Sequence, residues 1–510
     1  MSGLAIGSRE PLKGLTYTVG VGGNFSTLPD ALTATRSLTT TLIASFTGSG
    51  TIDTRVITRA SGDSIAAYVG QLVGVRIDNA TTPAPIVLGW VETSTQVRLA
   101  YNLPITYTSK TIELYLITPV NLTFLPGTRE VITSNLTLNT SFTTISALVP
   151  RTAMLQMASN TQMTLSITDN HIHFRGMRIA GDLQEAFIAG KVFGFTGTNN
   201  ALAYLCDHSF VDVEGYAGHI DFMYMQAVTA GPSFRFDQCE MHGFYDVLNM
   251  GPQRNFQVKN SNFYVKCAAI ADFASRCITF SVGGTALAYS SQQYIFENNS
   301  LFSDNTFGGT PTDCISFGDP IASNALVSVK NNYLHAVNTT GNISAHGLNI
   351  TSTGGNTPTI IFEDNLCNII ASGTGTAYFA RSSTANYVIR EKNNRAVNGN
   401  APTWGTNVIK SNEQDIAYAA AITPDLSLGD TVVVGTLTGN LTVNAPLNPT
   451  KGAHLILNYT ADATPGRTIT YNAAFKSSVV PVSTASAKAS HHFIYDGTNW
   501  VQTGGALLWL

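Results

Sequence analysis

Residues 327–334 (VSVKNNYL) and 360–367 (IIFEDNLC) carry the pattern that decides the fold. In each, a strand of alternating apolar residues is followed by Asn or Asp and then by another apolar residue. Further copies stand at 234–241 (FRFDQCEM), 256–263 (FQVKNSNF), 294–301 (YIFENNSL) and, degenerate, at 388–395 (VIREKNNR). The equivalent apolar residue recurs after 22, 38, 33 and 33 residues, a spacing typical of a solenoid whose coils carry loops of variable length.

Stacking explains why such a pattern repeats. A lone strand of this kind cannot bury its apolar face, whereas copies stacked about 4.8 Å apart form a continuous parallel sheet around a filled core. Each copy is therefore predicted to be one coil. The polar residue after each strand is expected to bond to the turn backbone and, where aligned, to its neighbours in a ladder. These equivalent residues are Asn260, Asn298, Asn331, Asp364 and Asn393.

The segment 16–35 (TYTVGVGGNFSTLPDALTAT) predicts a cap for the solenoid. An alternating strand precedes a Gly-rich turn and an amphipathic stretch that places Phe25, Leu28, Ala31 and Leu32 on one helical face. The end of a stacked β structure needs such a cover, because it otherwise leaves backbone groups unpaired.

Two of these features resemble a known family. VGVGGNFSTLPDAL at 19–32 looks like the opening motif of pectate-lyase-like β-helices, which include many phage tailspikes, and asparagine ladders are a mark of the same group. The resemblance extends at motif level over most of 16–400. It implies an all-β fold built on a right-handed parallel β-helix.

The stretches outside the repeats predict two further β units. Residues 45–119 contain short strands bounded by Gly and Asp, which suit an inserted small β-barrel-like subdomain. Residues 412–510 contain alternating strands and an Asp496-Gly497 turn, which predict a C-terminal antiparallel β domain. The predicted division is 1–44 for particle attachment and the cap, 45–119 for the insert, 120–411 for the β-helix and 412–510 for trimerisation or receptor contact.

The C-terminal domain is where subunit contacts are expected. FIYDGTNWVQ at 493–502 resembles the C-terminal domain of many phage tail fibre and spike proteins, and that family assembles as homotrimers. Large apolar residues at this end of the chain would remain exposed in a monomer. The candidate trimer contacts are Tyr495, Trp500, Leu508 and Trp509.

The charge pattern excludes several kinds of partner. Only 12% of the residues are charged, and the net charge of -4 is spread without blocks, so no basic field attracts nucleic acid or anionic lipid. The first residues lack a secretion signal, and no apolar run approaches the roughly 20 residues of a membrane span. We expect a protein made in the host bacterial cytoplasm, without membrane insertion.

Nothing in the sequence predicts a cofactor or a metal. Six cysteines, at 206, 239, 267, 277, 314 and 367, form no CxxC pair and are expected to pack as reduced thiols. His171 and His173 share a strand face, but no third ligand lies nearby in the sequence.

Candidate chemistry concentrates between residues 207 and 246. In a β-helix, carboxylates at i and i+2 lie about 6.6 to 6.8 Å apart and those on adjacent coils about 5 Å apart, which brackets the separations of inverting and retaining glycosidases. The catalytic candidates are Asp212, Glu214, Asp237, Glu240, His242 and Asp246, and the carbohydrate-binding candidates are Tyr216, Phe244 and Tyr245. Outward positions of a β-helix are polar by default, so solvated faces and turn-capping aspartates are the alternative interpretation.

The resemblance implies a structural protein of the virion. It would be a trimeric tailspike or tail fibre that attaches to host cell-surface polysaccharide, with other virion proteins of the tail or capsid as partners. One alternative is a polysaccharide depolymerase of the same fold, acting as a glycoside hydrolase, lyase or deacetylase, and a further alternative is a capsid-decorating head fibre. Because spike enzymes share no catalytic motif, the sequence favours attachment over catalysis and leaves the glycan, the host and the anchoring partner open.

Overall fold

The computed structural model consists of two compact units, Met1–Ile389 with Asn393–Asn407 and Arg390–Lys392 with Val408–Leu510. It describes the chain apart from residues 1–13, 53, 78–84, 139, 159–160, 167–169, 182–190, 197–206, 217–220, 226–231, 244, 268–274, 282–291, 306–310, 340–342, 353–354, 398–402, 411–412, 427–428, 478–482 and 504–510.

Three parallel sheets surround the core of the first unit. Sheet 1 contains Leu15–Val19, Val120–Phe124, Thr143–Ala147, Ile172–Arg175, Asp207–Val211, Ser233–Asp237, Asn255–Lys259, Gln293–Glu297, Leu326–Lys330, Thr359–Glu363, Ile389–Lys392 and Val408–Lys410. Sheet 2 contains Arg129–Ile132, Met154–Met157, Arg178–Ala180, Glu214–Tyr216, Glu240–Gly243, Asn262–Cys267, Ser300–Asn305, Tyr333–Asn338, Leu366–Ile370 and Arg395–Ala396. Sheet 3 contains Leu136–Leu138, Met163–Ser166, Lys191–Thr196, Asp221–Met225, Asp246–Met250, Ser275–Phe280, Thr312–Phe317, Ala345–Ile350 and Ala377–Ser382.

One strand from each sheet, taken in chain order, makes a coil. The apolar residues that defined the repeat are partners in the parallel register of sheet 1: Phe236 pairs with Val258, Val258 with Phe296, Phe296 with Val329 and Val329 with Phe362. All five are buried. The predicted all-β parallel β-helix, with one coil for each copy of the motif, is therefore confirmed.

Inward side chains stack in columns along the core. The rings of Phe174 and Phe210 lie parallel with centroids 5.2 Å apart, and those of Phe210 and Phe236 follow at 5.0 Å. Parallel strands repeat at about 4.8 Å, so identical ring types in successive coils meet face to face.

The turn from sheet 1 to sheet 2 is two residues long, and its first residue adopts a left-handed backbone. The φ angles lie between 51° and 58° at Asp212, Gln238, Asn260, Asn298, Asn331, Asp364 and Asn393. Asn and Asp tolerate this conformation better than other residues with a Cβ, because their short polar side chains bond locally. The predicted equivalence of the turn asparagines is confirmed.

The main asparagine ladder runs through the second turn residue, one position later than expected. The Nδ2 atom of Asn299 donates to Oδ1 of Asn332 at 3.0 Å, Asn332 to Asn365 at 3.0 Å and Asn365 to Asn394 at 2.9 Å. Of the residues first proposed, Asn298 and Asn260 are joined by one long bond of 3.4 Å. The second residue forms the ladder because its side chain is buried, whereas the left-handed residue before it is exposed to solvent.

An N-terminal helix covers the first coil. It spans Leu28–Thr35 and is followed by a 3₁₀ turn at Arg36–Leu38. Thr27 caps its N-terminus, because the Thr27 side chain accepts from the Asp30 amide. The helix buries Leu28, Ala31 and Leu32, and the carboxylate of Glu130 on sheet 2 accepts from the Leu28 amide at 2.8 Å. A carboxylate in this place accepts from a helix amide that has no partner within the helix. Its negative charge also interacts favourably with the positive end of the helix dipole.

A closed antiparallel barrel follows the helix. Its strands are Thr40–Gly50, Val56–Gly62, Leu72–Ile77, Val87–Thr93, Gln96–Leu99 and Tyr107–Ile117, with a 3₁₀ turn at Ala66–Tyr68. Closure removes the free strand edges that an open sheet of this size would expose. Ile86, Tyr115 and Ile117 of this region pack against Phe142 of the β-helix, and Asn170 Nδ2 donates to the Ile86 carbonyl at 3.0 Å.

The second unit contains mixed sheets, which corrects the expected antiparallel domain. The strands of these sheets are Glu413–Ile416, Ala421–Ile422, Thr431–Val434, Leu441–Val443, His454–Thr460, Ile469–Tyr471, Phe475–Lys476, Lys488–Tyr495 and Trp500–Gln502. From Glu413 to Tyr471 the chain alternates between two sheets, so successive strands of one sheet run parallel. Among the described strands of this unit, only those that pair with Lys488–Tyr495 run antiparallel to it, and the predicted Asp496-Gly497 turn joins Lys488–Tyr495 to Trp500–Gln502.

The described thiols are Cys239, Cys277, Cys314 and Cys367, all buried and free of disulfides. Burial raises the pKa of each thiol above its ordinary value, so they remain protonated and pack as small apolar groups. Among the described residues, no helix has the length and apolar character needed to cross a membrane.

Candidate functional site

Sheet 2 carries a column of aromatic side chains on its outward face. Tyr216, His242, Tyr264, Phe302 and His335 are partners in the parallel register of successive coils. Each is half-buried, whereas the residue before it in the strand points into the core and is buried. We call these five residues the ring column.

The rings of this column stack on one another. Centroid separations are 4.9 Å for Tyr216 and His242, 4.8 Å for His242 and Tyr264, 4.9 Å for Tyr264 and Phe302, and 5.4 Å for Phe302 and His335. Because neighbouring rings cover each other's faces, the column presents ring edges to solvent. These edges include the hydroxyls of two tyrosines, which are hydrogen-bonding groups fixed by packing.

Two glutamates lie beside the ring column, on the side of the turn. Glu214 and Glu240 are register partners on neighbouring coils. Arg178 Nε lies 3.2 Å from Glu214 Oε2, and the Tyr216 hydroxyl donates to the same carboxylate. His242 Nε2 lies 3.5 Å from Glu240 Oε1. The carboxylates therefore connect the ring column to the charged side chains around it.

On this side of the site, Arg151 connects side chains and backbone of three successive coils. Its own backbone is left-handed at a φ of 59°. The guanidinium donates to Asp212 Oδ1 at 3.0 Å, to Glu240 Oε2 at 3.2 Å and to the Gln238 carbonyl at 3.2 Å. A planar guanidinium that is held by three acceptors has little freedom left, so it fixes the positions of the two carboxylates.

Both tyrosine hydroxyls of the ring column stay protonated. The hydrogen bond to Glu214, followed by burial, raises the pKa of Tyr216, and burial, followed by the charge of Glu240, raises the pKa of Tyr264. Over the range of pH in which proteins normally work, the Tyr216 hydroxyl therefore keeps its proton on the bond to Glu214, and the Tyr264 hydroxyl can donate to a ligand.

The structure brings together five of the residues predicted from the sequence. Asp212, Glu214, Glu240, His242 and Tyr216 all lie at the edge of sheet 2 or on its outward face. They form one connected surface because the coils stack in register and the turn before sheet 2 has a constant length. What they can do chemically is to donate and accept hydrogen bonds in a fixed row along the solenoid.

The structure separates Asp237 from this surface. Asp237 lies on sheet 1, where Asn260 Nδ2 donates to its carboxylate at 3.0 Å and Arg235 pairs with it. Burial alone would raise the pKa of Asp237, but these two contacts outweigh it and hold the pKa below its ordinary value. The carboxylate is thus fixed in an ion pair on a different face.

Asp246 begins a strand of sheet 3, and Tyr245 directly precedes it. Asp246 is 0% exposed, and Arg276 Nε and Nη2 donate to its two oxygens at 2.9 and 3.0 Å. Arg276 Nη2 also donates to the Tyr245 hydroxyl at 2.9 Å. Burial, which outweighs the arginine, raises the pKa of Asp246 to about 6. Phe244 lies outside the described residues.

Sheet 3 contains a buried polar network that sequence reasoning missed. His346 Nδ1 donates to Asp313 Oδ1 at 2.6 Å, and Asn349 Nδ2 donates to the other oxygen of that carboxylate at 3.0 Å. Asp246, Arg276, Asp313 and His346 follow one another in register. In the sequence, the network corresponds to pairs of polar residues three positions apart in successive strands of sheet 3, such as Asp246 with Asn249 and His346 with Asn349. These pairs can be recognised as one group only when the register of the coils is known.

The ring column itself was found only in part from the sequence. Tyr264, Phe302, His335 and the arginines at 151 and 178 were not predicted. Each residue of the ring column lies four positions after the left-handed turn residue of its coil, as Tyr264 does after Asn260. The ring column can therefore be located in the sequence by taking the fourth residue after each left-handed turn residue. The spacing from one coil to the next does not locate it, because the loops vary in length.

The histidine pair noted in the sequence lies between the β-helix and the barrel. The His171 ring stacks on Phe142 at 5.1 Å, and His173 Nδ1 lies 2.7 Å from Ser209 Oγ. Burial, followed by the neighbouring His173 and Arg254, lowers the pKa of His171 to about 3, so the imidazole is neutral. The described part of the chain holds no cluster of three or more His, Cys, Asp or Glu arranged to bind a metal.

The expectation that the apolar residues near the C-terminus would be exposed in a monomer is wrong for Trp500. Trp500 is only 1% exposed, because it packs in the core of the second unit beside Phe475 and Tyr495. A single chain therefore covers this ring without a subunit contact. Leu508 and Trp509 lie outside the described residues.

Comparisons with known proteins give distant structural similarities only. No protein family model matches the sequence, and no curated protein matches it. Among solved structures, the chain is similar to the catalytic domain of a GH87 alpha-1,3-glucanase in complex with tetrasaccharides, at 12% identity over 73% of this chain and 91% of the other, with a TM-score of 0.28.

Two further solved structures are similar to the same degree. The tailspike protein gp49 from Pseudomonas phage LKA1 has 9% identity over 91% of this chain and 81% of its own, with a TM-score of 0.23. PfbA, a surface adhesin of Streptococcus pneumoniae, has 10% identity over 76% of this chain and 92% of its own, with a TM-score of 0.25. Similarities this low carry no statement about activity, partners or location.

Proposed function

We propose that this chain attaches a bacteriophage particle to polysaccharide on the surface of its host, as a homotrimeric tailspike or tail fibre. The observation that carries the proposal is the ring column on sheet 2, a partly exposed row of stacked rings on a rigid solenoid. The resemblance of 19–32 and 493–502 to phage spike proteins supplies the virion and trimer parts of the proposal.

The ring column has the dimensions and chemistry of a glycan-binding surface. Five coils at about 4.8 Å give it a length of about 19 Å, which matches a short oligosaccharide. Sugar hydroxyls need donors and acceptors held in place, and these are supplied by the Tyr216 and Tyr264 hydroxyls, His242 and the two glutamates. The side chains are already ordered by stacking, so little conformational entropy is lost when a glycan binds.

Replacement of Tyr264 tests the binding surface. Tyr264→Ala removes a ring from the middle of the column and is expected to weaken binding of host surface polysaccharide at least tenfold. The matched control is Gln257→Ala, a half-buried outward position on sheet 1 of the same coil, which should leave binding unchanged. Equal binding by both variants would remove sheet 2 as the site.

Location and assembly require separate measurements. Electron microscopy of particles labelled with antibody to this chain should place it on the tail, and label on the capsid would instead establish a head fibre. Light scattering of the purified chain should give the mass of a trimer.

A second function, depolymerisation, is favoured by one feature. Glu214 and Glu240 are register partners on neighbouring coils, where carboxylates about 5 Å apart suit a retaining glycosidase. Attachment remains the first proposal because each glutamate is already bound to an arginine. Incubation with host polysaccharide should release neither reducing ends nor acetate. Release that is abolished by Glu240→Gln but not by Asp237→Asn would establish the enzyme.

A further inference from the structure

Among the described residues, each cationic side chain beside the ring column lies next to a carboxylate. Arg178 binds Glu214, and Arg151 binds both Asp212 and Glu240. On the other side of the column Lys266 and Asp304 are register partners of opposite charge, and Asp304 accepts from His335 Nε2 at 3.0 Å. Within the part of the chain that the structure describes, three cations thus lie beside four carboxylates.

We infer that the polysaccharide held along the ring column is an uncharged, linear glycan lying parallel to the helix axis; this inference rests on the proposed function. The orientation follows from the shape of the column, which is one ring wide and extends from coil to coil. A chain lying across it would contact a single ring.

An acidic glycan would have to compete with the carboxylates for the arginines. Drawing Arg178 away would leave Glu214, whose side chain is only 14% exposed, without its cation, and loss of a partner from a largely buried charge is costly. The same carboxylates would repel an anionic sugar at short range.

An uncharged glycan meets no such competition. Its hydroxyls can donate to the free lone pairs of the carboxylates and accept from the Tyr264 hydroxyl, so both hydrogen-bonding roles of a sugar are met. At the far end of the column, His335 lies between an amide and a carboxylate, with Nδ1 3.0 Å from Asn368 Nδ2 and Nε2 3.0 Å from Asp304 Oδ1.

Binding of the full chain to an array of purified bacterial surface polysaccharides, divided into uncharged and acidic members, tests the inference. Each member is measured at 50 and 500 mM NaCl, for the unaltered chain, Tyr264→Ala and Gln257→Ala. The expected result is binding of uncharged members alone, with less than a twofold change between the two salt concentrations and at least a tenfold loss in Tyr264→Ala. Salt should matter little because a neutral ligand releases few counterions.

Each other outcome has a distinct meaning. Binding of acidic members, weakened tenfold or more by salt, would overturn the uncharged class while keeping the proposed attachment function. Binding of uncharged members that Tyr264→Ala leaves unchanged would overturn the ring column as their site. An array on which the unaltered chain binds no polysaccharide would overturn the proposed function itself.

Discussion

Removing one amide from the asparagine ladder should destabilise the β-helix far more than removing its neighbour in the sequence. The side chain of Asn332 is buried and takes part in four hydrogen bonds. Its Nδ2 donates to the Phe296 carbonyl and to Asn365 Oδ1, each at 3.0 Å, and its Oδ1 accepts from N and Nδ2 of Asn299, each at 3.0 Å. Asn332→Ala removes all four.

The expected magnitude follows from those bonds. Each buried hydrogen bond contributes about 1 kcal/mol net, and a buried group left without a partner costs about 1 to 3 kcal/mol. Asn332→Ala is therefore expected to lower the free energy of unfolding by about 4 kcal/mol. That is a large part of the total for a typical domain.

Asn331, one position earlier, provides the control. Its side chain is exposed and its φ is 55°. Asn331→Gly should leave the free energy of unfolding nearly unchanged, because Gly adopts this conformation freely. Asn331→Ala should cost about 1 kcal/mol, the price of a left-handed backbone for a residue with a Cβ.

Urea unfolding of the full chain, followed by far-UV circular dichroism, compares the three variants. The order of stability should be Asn331→Gly, then Asn331→Ala, then Asn332→Ala. If Asn332→Ala were no less stable than Asn331→Ala, the buried ladder would not hold successive coils together, and the assignment of inward and outward turn residues would be wrong.

Three further predictions concern pH, the second unit and assembly. Burial raises the pKa of Asp246 from 3.8 to about 6, so the folded state binds this proton more tightly, and the free energy of unfolding should fall by about 2 kcal/mol between pH 4 and pH 6; urea midpoints across this range should lose that component in Asp246→Asn. Trp500→Ala should lower the calorimetric transition of the second unit, because replacing a fully buried Trp costs about 3 to 5 kcal/mol, and an unchanged transition would contradict its place in the core. Deletion of 412–510 should give monomers or aggregates by light scattering, and intact trimers would defeat the role proposed for that segment.

The fold was predictable because each coil repeats one local pattern. Apolar residues such as Phe236 and Val258 alternate with polar ones and end at a residue that accepts a left-handed backbone. The sequence did not predict which of the two turn residues points into the core and which points to solvent. The letters at 298–299 and 331–332 are both Asn-Asn, and only the backbone angle decides which amide points inward.

The site was predictable only where its members are close in the sequence. Glu214 and Tyr216 belong to one strand, as do Glu240 and His242, so local spacing revealed them. Loops of variable length separate the coils, which hides the relation of Tyr264 to these strands. Asp246 was grouped with them by sequence proximity alone, although its chemistry depends on an arginine thirty residues later.

The three outward faces of the β-helix differ in what they leave available to a ligand. On sheet 1, charged residues of successive coils pair with each other, as in Lys259 with Glu297 and Lys330 with Glu363, each at 2.8 Å. On sheet 3, the polar residues around Asp246 are buried. Sheet 2 combines partial exposure, stacked rings and hydroxyls that remain protonated. A ligand that needs neutral hydrogen-bonding groups in a rigid row therefore meets them on sheet 2, and this face is where replacements should first change binding.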